Sequence, residues 1–330
     1  MFLVLQTGSQ SCPLQQKPVF IMLTKIRLVT MLMILLSASI ALCAESQKPY
    51  LYVLGVAQDA GFPQAGCYAP HCMKGWNDSS KRITPTSVAV IDADSERKYL
   101  FEATPQIPQQ LFMLEQEAPS TDFLLDGVFI THAHIGHYTG LMYFGREVMG
   151  SKKMPVYTMP KMGSFLRNNG PWSQLIELEN IHLMPLSDDV AVSFKNISVT
   201  PFLVPHRDEY SETVGFFIKG PTKTALFIPD INKWSQWDDS IVEKVAQVDY
   251  ALLDATFFDD GELPGRDMSK IPHPFVTETM DLLKDLPAEQ RNKVWFIHMN
   301  HTNPLLDPSS RESKLVESTG FNIARPGLRL

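Results

Sequence analysis

From Tyr50 onward, short runs rich in β-branched and aromatic residues alternate with longer segments whose apolar positions recur three and four residues apart. "YLYVLGVAQ", "TSVAVID" and "KYLFEA" read as strands separated by Gly, Pro or charged turns. "IPQQLFMLEQE" has helical spacing, and "DGVFITHAH" is a strand that runs into a histidine cluster. "GLMYFGREVMG", just beyond the cluster, has the spacing of a helix packed on a sheet. In the second half, "ISVTPFLVPH", "TVGFFIKG", "TALFIPD", "YALLDATFF" and "KVWFIHMNH" read as strands, with helices over "SIVEKVAQV" and "PFVTETMDLLKDL". Mixed elements of this kind over about 280 residues predict a layered α/β architecture with helices outside the sheets.

One feature recurs among these strands. Polar residues of ligand type stand just beyond their ends: His132, His134 and His137 after "GVFIT", His206 after "PFLVP", Asp230 after "ALFIP", and His298 after "KVWFI". Strand ends and the loops that follow are where a rigid scaffold holds a site. Imidazole and carboxylate are the usual ligands of zinc and related metals. His132 and His134 point the same way in an extended segment, and His137 reaches a neighbouring point if a helix starts there. Three imidazoles this close are hard to satisfy by hydrogen bonds alone, so the cluster reads as a metal site. Asp230 is placed to bridge two ions, or to orient a nucleophilic water and accept its proton. His273, Asn300, His301 and Asn303 bind substrate, orient ligands or cap turns beside Pro274 and Pro304.

The chain has 330 residues, 44% hydrophobic and 20% charged, with a formal charge of −7 and no basic tract. A small-molecule substrate is expected as partner rather than nucleic acid. Residues 1–44 differ from the rest: Lys17, Lys25 and Arg27 without an Asp or Glu, then the apolar run "LVTMLMILLSASIAL", then small residues in "ALCAES". That is the pattern of a secretory signal peptide, too short for a membrane span of roughly 20 residues. Its removal takes the charge from −7 to −10 and leaves one domain, 45–330, in the periplasm or outside the cell. The alternative is an uncleaved anchor, the one case with a membrane partner. Cys12 and Cys43 fall in this leader, which leaves Cys67 and Cys72 as the mature pair. They form a disulfide, or a structural metal site with His71 that is one ligand short, or stay as free thiols.

"THAHIGHYTG" resembles the H-x-H-x-D-H signature of the metallo-β-lactamase superfamily, and the later strand-end residues follow that family's order. The resemblance implies a four-layer αββα sandwich across about residues 50–330, with a metal site at one edge of the sheets. It implies His132, His134 and His206 at the first metal, His137 and His298 at the second, and Asp230 between. "VLGVAQDAGFPQAGC", "VPHRDEYSETVGFFI", "LLDATFFDD" and "FIHMNHTNPLL" are similar to the branch of pyrroloquinoline quinone biosynthesis B proteins and phosphonate cyclic phosphodiesterases. Relatives in that branch carry a cysteine-containing metal site near the same N-terminal turn.

Gly136 departs from the signature, which has a metal-binding aspartate there. One tight zinc and a weak or absent second are therefore expected, with Asp208 and His301 the nearest substitutes in sequence. Iron and manganese suit the same donors. The expected activity is that of an exported metallo-hydrolase that uses metal-bound hydroxide on an ester, lactone, lactam or phosphodiester. The alternatives are a quinone-biosynthesis protein with non-hydrolytic, iron-based redox chemistry, and a metal-binding protein without turnover.

Overall fold

A computed structural model describes residues 48–120 and 125–330. The expected signal peptide, residues 1–44 with Cys12 and Cys43, lies outside them. Among the described residues, thirteen strands form two sheets. The first has β1 (Tyr50–Gly55), β2 (Ser87–Asp92), β3 (Arg97–Phe101), β4 (Gly127–Phe129), β5 (Met154–Thr158) and β6 (Ile181–Pro185), in chain order. The second has β7 (Val192–Ser193), β8 (Ser198–Leu203), β9 (Val214–Lys219), β10 (Thr224–Ile228), β11 (Tyr250–Asp254), β12 (Val294–Ile297) and β13 (Asn322–Ile323), again in chain order.

Period-two alternation sorts the first sheet's side chains onto two faces. Val88, Val90, Tyr99, Phe101, Phe129 and Tyr157 point into the space between the sheets, where they meet Val199, Phe216 and Phe227. Phe129 stacks between Phe101 (4.8 Å) and Tyr157 (4.3 Å), with Phe216 edge-on at 5.7 Å. Burying one such side chain contributes about 1.5–3 kcal/mol. Ala89, Ile91, Leu100, Val128 and Val156 face the other way, onto helices. The helix α1 (Pro70–Asn77) lies near the N-terminal turn. Next, α2 (Ile107–Glu117) carries Ile107, Leu111 and Leu114 on one stripe and stops at Ala118, because the residue before Pro119 is forced out of helical geometry.

After α3 (Ile135–Tyr138), α4 (Pro160–Asn168) and α5 (Trp172–Glu177) complete that layer. On the second sheet lie α6 (Ile241–Ala246), α7 (Val276–Leu283), α8 (Ala288–Arg291) and α9 (Arg311–Ser318). The helix predicted over "GLMYFGREVMG" is a correction. Only a 3-10 turn, Thr139–Phe144, forms there, and Gly145 leaves it with extended backbone. Gly140 is the reason: its N–H bonds Ala103 O at 2.8 Å, and an added Cβ would lie 2.2 Å from Thr104 O. Among the described residues no helix is long and apolar enough to cross a membrane.

Strand direction puts the site at one edge. β3 runs parallel to β4, and β10, β11 and β12 run parallel to each other. β8 is antiparallel to β9, which is antiparallel to β10, so β8 points the same way as β10. The C-terminal ends of six strands thus converge.

Candidate metal centre

Those ends deliver Glu102 (β3), His132, His134 and His137 (β4), His206 (β8), Asp230 (β10), Asp254 (β11) and His298 (β12). His132 Nε2 lies 2.9 Å from His134 Nδ1, which lies 3.2 Å from His206 Nε2. Asp230 Oδ2 is 3.3 Å from His132 Nε2 and 3.2 Å from His206 Nε2. The edges of a zinc tetrahedron with bonds of 2.0–2.1 Å are about 3.3 Å long, so these four atoms are spaced as ligands of one ion. The same Asp230 oxygen is 3.8 Å from His137 Nε2, which leads to a second donor group.

That group is Asp59, His137 and His298. Asp59 was not among the residues expected from the sequence, and it accounts for Gly136. A Cβ at residue 136 would lie 2.4 Å from Asp59 Cα and 2.7 Å from Asp59 Oδ1. The loop that carries Asp59 can approach only because residue 136 has no side chain. A carboxylate missing from one segment is thus supplied by another. Asp59 Oδ1, His137 Nε2 and His298 Nε2 are all buried without a hydrogen-bond partner, and Asp59 Oδ1 is 3.7 Å from His137 Nε2. Orphaned donors facing one another fit a second cation. The second group thus has three donors that do not depend on residue 136. Asp208 accepts from Thr213 Oγ1 at 2.8 Å and is not in it, and neither is His301.

Each ring is held from behind. Thr131 Oγ1 meets His132 Nδ1 at 2.8 Å, Asn232 Oδ1 meets His206 Nδ1 at 3.3 Å, and Thr256 Oγ1 meets His298 Nδ1 at 3.1 Å. Glu209 holds His134 Nε2 at 3.3 Å, and buried Glu102 lies 3.2 Å from His137 Nδ1. Such partners fix ring orientation and strengthen the inward nitrogen as a ligand. Glu102 (φ 76°) and His298 (φ 66°) are both left-handed, a strained conformation for side-chain-bearing residues that concentrates at functional sites.

His273, from the loop after β11, donates Nδ1 to Asp254 Oδ2 at 2.8 Å and lies 3.1 Å from Asp230 Oδ1. Burial alone would lower its pKa, but Asp254 and Asp230 raise it to about 10. Burial likewise opposes a charge on His137, yet Glu102 and Asp230 hold it at about 9. Burial drives His132 well below its ordinary value, with His137 adding to the effect. Among the described residues, the ion-pair partners of Asp59, Glu102, Asp230 and Asp254 are all histidines. Carboxylates gathered without Lys or Arg need another cation, which divalent metals supply.

Glu102 and Asp254 were also absent from the expected set, although "KYLFE" and "YALLD" end as the other site strands do. Asn300 and Asn303 turn out to brace their own loop. Asn300 donates to Thr302 Oγ1 at 2.6 Å, and Asn303 donates to Ala255 O at 2.7 Å and accepts from Leu305 N. Cys67 and Cys72 form a disulfide with Cα atoms 6.0 Å apart. His301 stacks on His71 at 5.6 Å, and these four residues make a further group of donors within 4.8 Å. His301 is the fourth donor that Cys67, His71 and Cys72 lack in the sequence pattern.

Two sheets with outer helices, and metal donors where strand ends converge, define a metallo-β-lactamase fold. The chain belongs to the beta-lactamase superfamily: residues 97–299 match its domain. It is 28% identical to coenzyme PQQ synthesis protein B of Gluconobacter oxydans, over 84% of this chain and 96% of that one. Among solved structures it is similar to zinc-bound PqqB from Methylobacterium extorquens, with 24% identity and a TM-score of 0.71 over 85% and 99% of the two chains. A diphosphatase of the PhnP family has the same fold, at 20% identity and a TM-score of 0.59 over 86% and 97%.

Proposed function

We propose that the chain is an exported, metal-dependent hydrolase with two metals at one centre, acting on an ester, lactone, lactam or phosphodiester of a small molecule. The single observation that carries this reading is the pair of donor groups sharing Asp230: His132, His134 and His206 on one side, Asp59, His137 and His298 on the other. Bound zinc supplies Lewis acidity and brings the pKa of coordinated water toward about 7. The chain's own residues hold that chemistry in place. Glu102, Thr131, Asn232 and Thr256 fix the imidazoles, and the Asp254–His273 pair steadies Asp230 through Oδ1. With Oδ2 among the histidines and Oδ1 3.1 Å from His273, Asp230 would serve as a ligand shared by the two donor groups, with no oxygen left as a free general base.

A second reading is favoured by one observation: the match to coenzyme PQQ synthesis protein B runs over nearly all of that protein. The chain then serves a synthetic step on a quinone-type molecule and turns over no hydrolysable substrate.

Elemental analysis of residues 45–330, run beside a panel of aryl esters, lactones, lactams and phosphodiesters, separates the two. Two zinc ions per chain and hydrolysis of one panel member are expected, with both lost in His132→Ala while the circular dichroism spectrum is kept. Full metal loading with no turnover, or iron in place of zinc, shifts the assignment to the second reading. His132→Ala with undiminished metal and activity defeats the metal assignment itself.

A further inference from the structure

We propose that Tyr210 is an aromatic shelf beside the metal centre, and that the substrate carries a planar ring next to the group that reacts. The inference rests on the hydrolase reading and adds to it a substrate class. Tyr210 lies in the loop that follows His206, and its neighbours on both sides are anchored. Glu209 contacts His134 Nε2 at 3.3 Å, and Ser211 Oγ accepts from Ala133 N at 2.8 Å. Glu212 caps α4, accepting from Lys161 N at 2.9 Å. Residues 209 and 211 are thus bound to the segment that holds His132 and His134, while Tyr210 is left 64% exposed between them.

The ring is exposed but not loose. It lies against Phe165 at 5.3 Å, tilted by 34°. Phe165 is supported edge-on by buried Tyr138 at 5.5 Å, and Tyr138 by Trp172 at 4.8 Å. Tyr138 itself follows His137. A layer of aromatics therefore runs from the ligand segment outward to one open face. A lone exposed aromatic needs no explanation, but one whose backbone and back face are both fixed is preorganised for stacking. Rings prefer offset or tilted contacts on such a face, and Glu209, adjacent in the chain, ties this one to His134.

Calorimetric titration of the zinc-loaded protein with phenylphosphonate and with methylphosphonate tests this without turnover. Both probes carry the same anion, and one carries a ring. Phenylphosphonate is expected to bind about tenfold more tightly. Tyr210→Ala should erase that preference while leaving methylphosphonate affinity and zinc content unchanged, and Tyr210→Phe should keep it. Equal affinities in the wild type, a preference that survives in Tyr210→Ala, or no binding of either probe each overturn the shelf. A Tyr210-dependent preference in a protein that hydrolyses no panel member sustains the shelf and removes the hydrolase reading instead.

Discussion

Two donor clusters share one short segment: His298 belongs to the centre at the strand ends, and His301 to the group with Cys67, His71 and Cys72. Both bring four or more ligand-type residues within reach of one another, yet they are built differently. In the centre five imidazoles each meet a carboxylate, amide or hydroxyl on the outer side, while inside, the nitrogens of His132, His134 and His206 gather on Asp230 and those of His137 and His298 have no hydrogen-bond partner. In the cysteine cluster the two sulfurs are joined to each other and the two imidazoles stack. Proximity of donors is common to both. What sets the centre apart is that its inward donor atoms converge around Asp230 Oδ2 instead of being joined covalently, with buried carboxylates and left-handed backbone at Glu102 and His298.

The sharpest way to break this comparison is at Gly136, and the largest effect is expected there. Restoring the superfamily's aspartate by Gly136→Asp should reduce the metal content rather than raise it, because the new Cβ meets Asp59 Cα at 2.4 Å. Zinc should fall from two ions per chain to one, with a stability loss of about 1–3 kcal/mol from the overpacked contact. The double variant Asp59→Gly, Gly136→Asp moves the carboxylate back to its usual segment and should recover the second ion. Elemental analysis and denaturant unfolding read both results. A single variant that keeps two metals at wild-type stability would show that Asp59 is not the replacement ligand.

That outcome bears on what the sequence could reveal. The strand ends were legible because apolar runs closing in His or Asp are a local pattern, and six converging strands turn that pattern into a site. The same rule, applied to "KYLFE" and "YALLD", would have picked out Glu102 and Asp254. Asp59 had no such mark. It sits in a loop after β1, 77 positions before Gly136, and only the close approach of two backbones relates them. The glycine was the trace of that approach, visible as a missing ligand but silent about where the replacement came from. His301 was legible as a candidate ligand but not as a neighbour of the cysteines, since His71, Cys67 and Cys72 lie on α1 and the turn before it.

A smaller effect should follow at the second cluster. Replacing both cysteines, Cys67→Ser with Cys72→Ser, opens a loop with a sequence separation of 5. Loop-closure entropy for so short a ring amounts to about 2 kcal/mol, which denaturant unfolding should show as a lower midpoint with the centre's zinc unchanged. Reduction of the wild type instead frees two thiolates beside His71 and His301, four donors of the kind structural zinc takes. Reduced protein should then bind one zinc more than oxidised protein. Equal zinc in the two states would mean that the pair acts only as a covalent clasp.

The smallest effect concerns the segment that joins the clusters. Glu262 accepts from Phe258 N at 2.6 Å and from Thr302 Oγ1, one residue beyond His301. Burial raises its pKa from 4.5 to about 7, against the hydrogen bonds that favour its charged form. Because the folded state holds this proton more tightly than the unfolded chain, folded Glu262 binds more protons between those two values, and stability must fall as pH rises through them. The stabilisation is complete below about 4.5 and gone above about 7. For a carboxyl that is partly open to solvent the change is on the order of 1 kcal/mol. Glu262→Gln removes the titration, so the stability difference between wild type and variant, followed by urea unfolding from pH 4.5 to 7, should shift steadily against the wild type. A difference that stays flat across that window would place Glu262 in contact with water rather than in the brace between the two clusters.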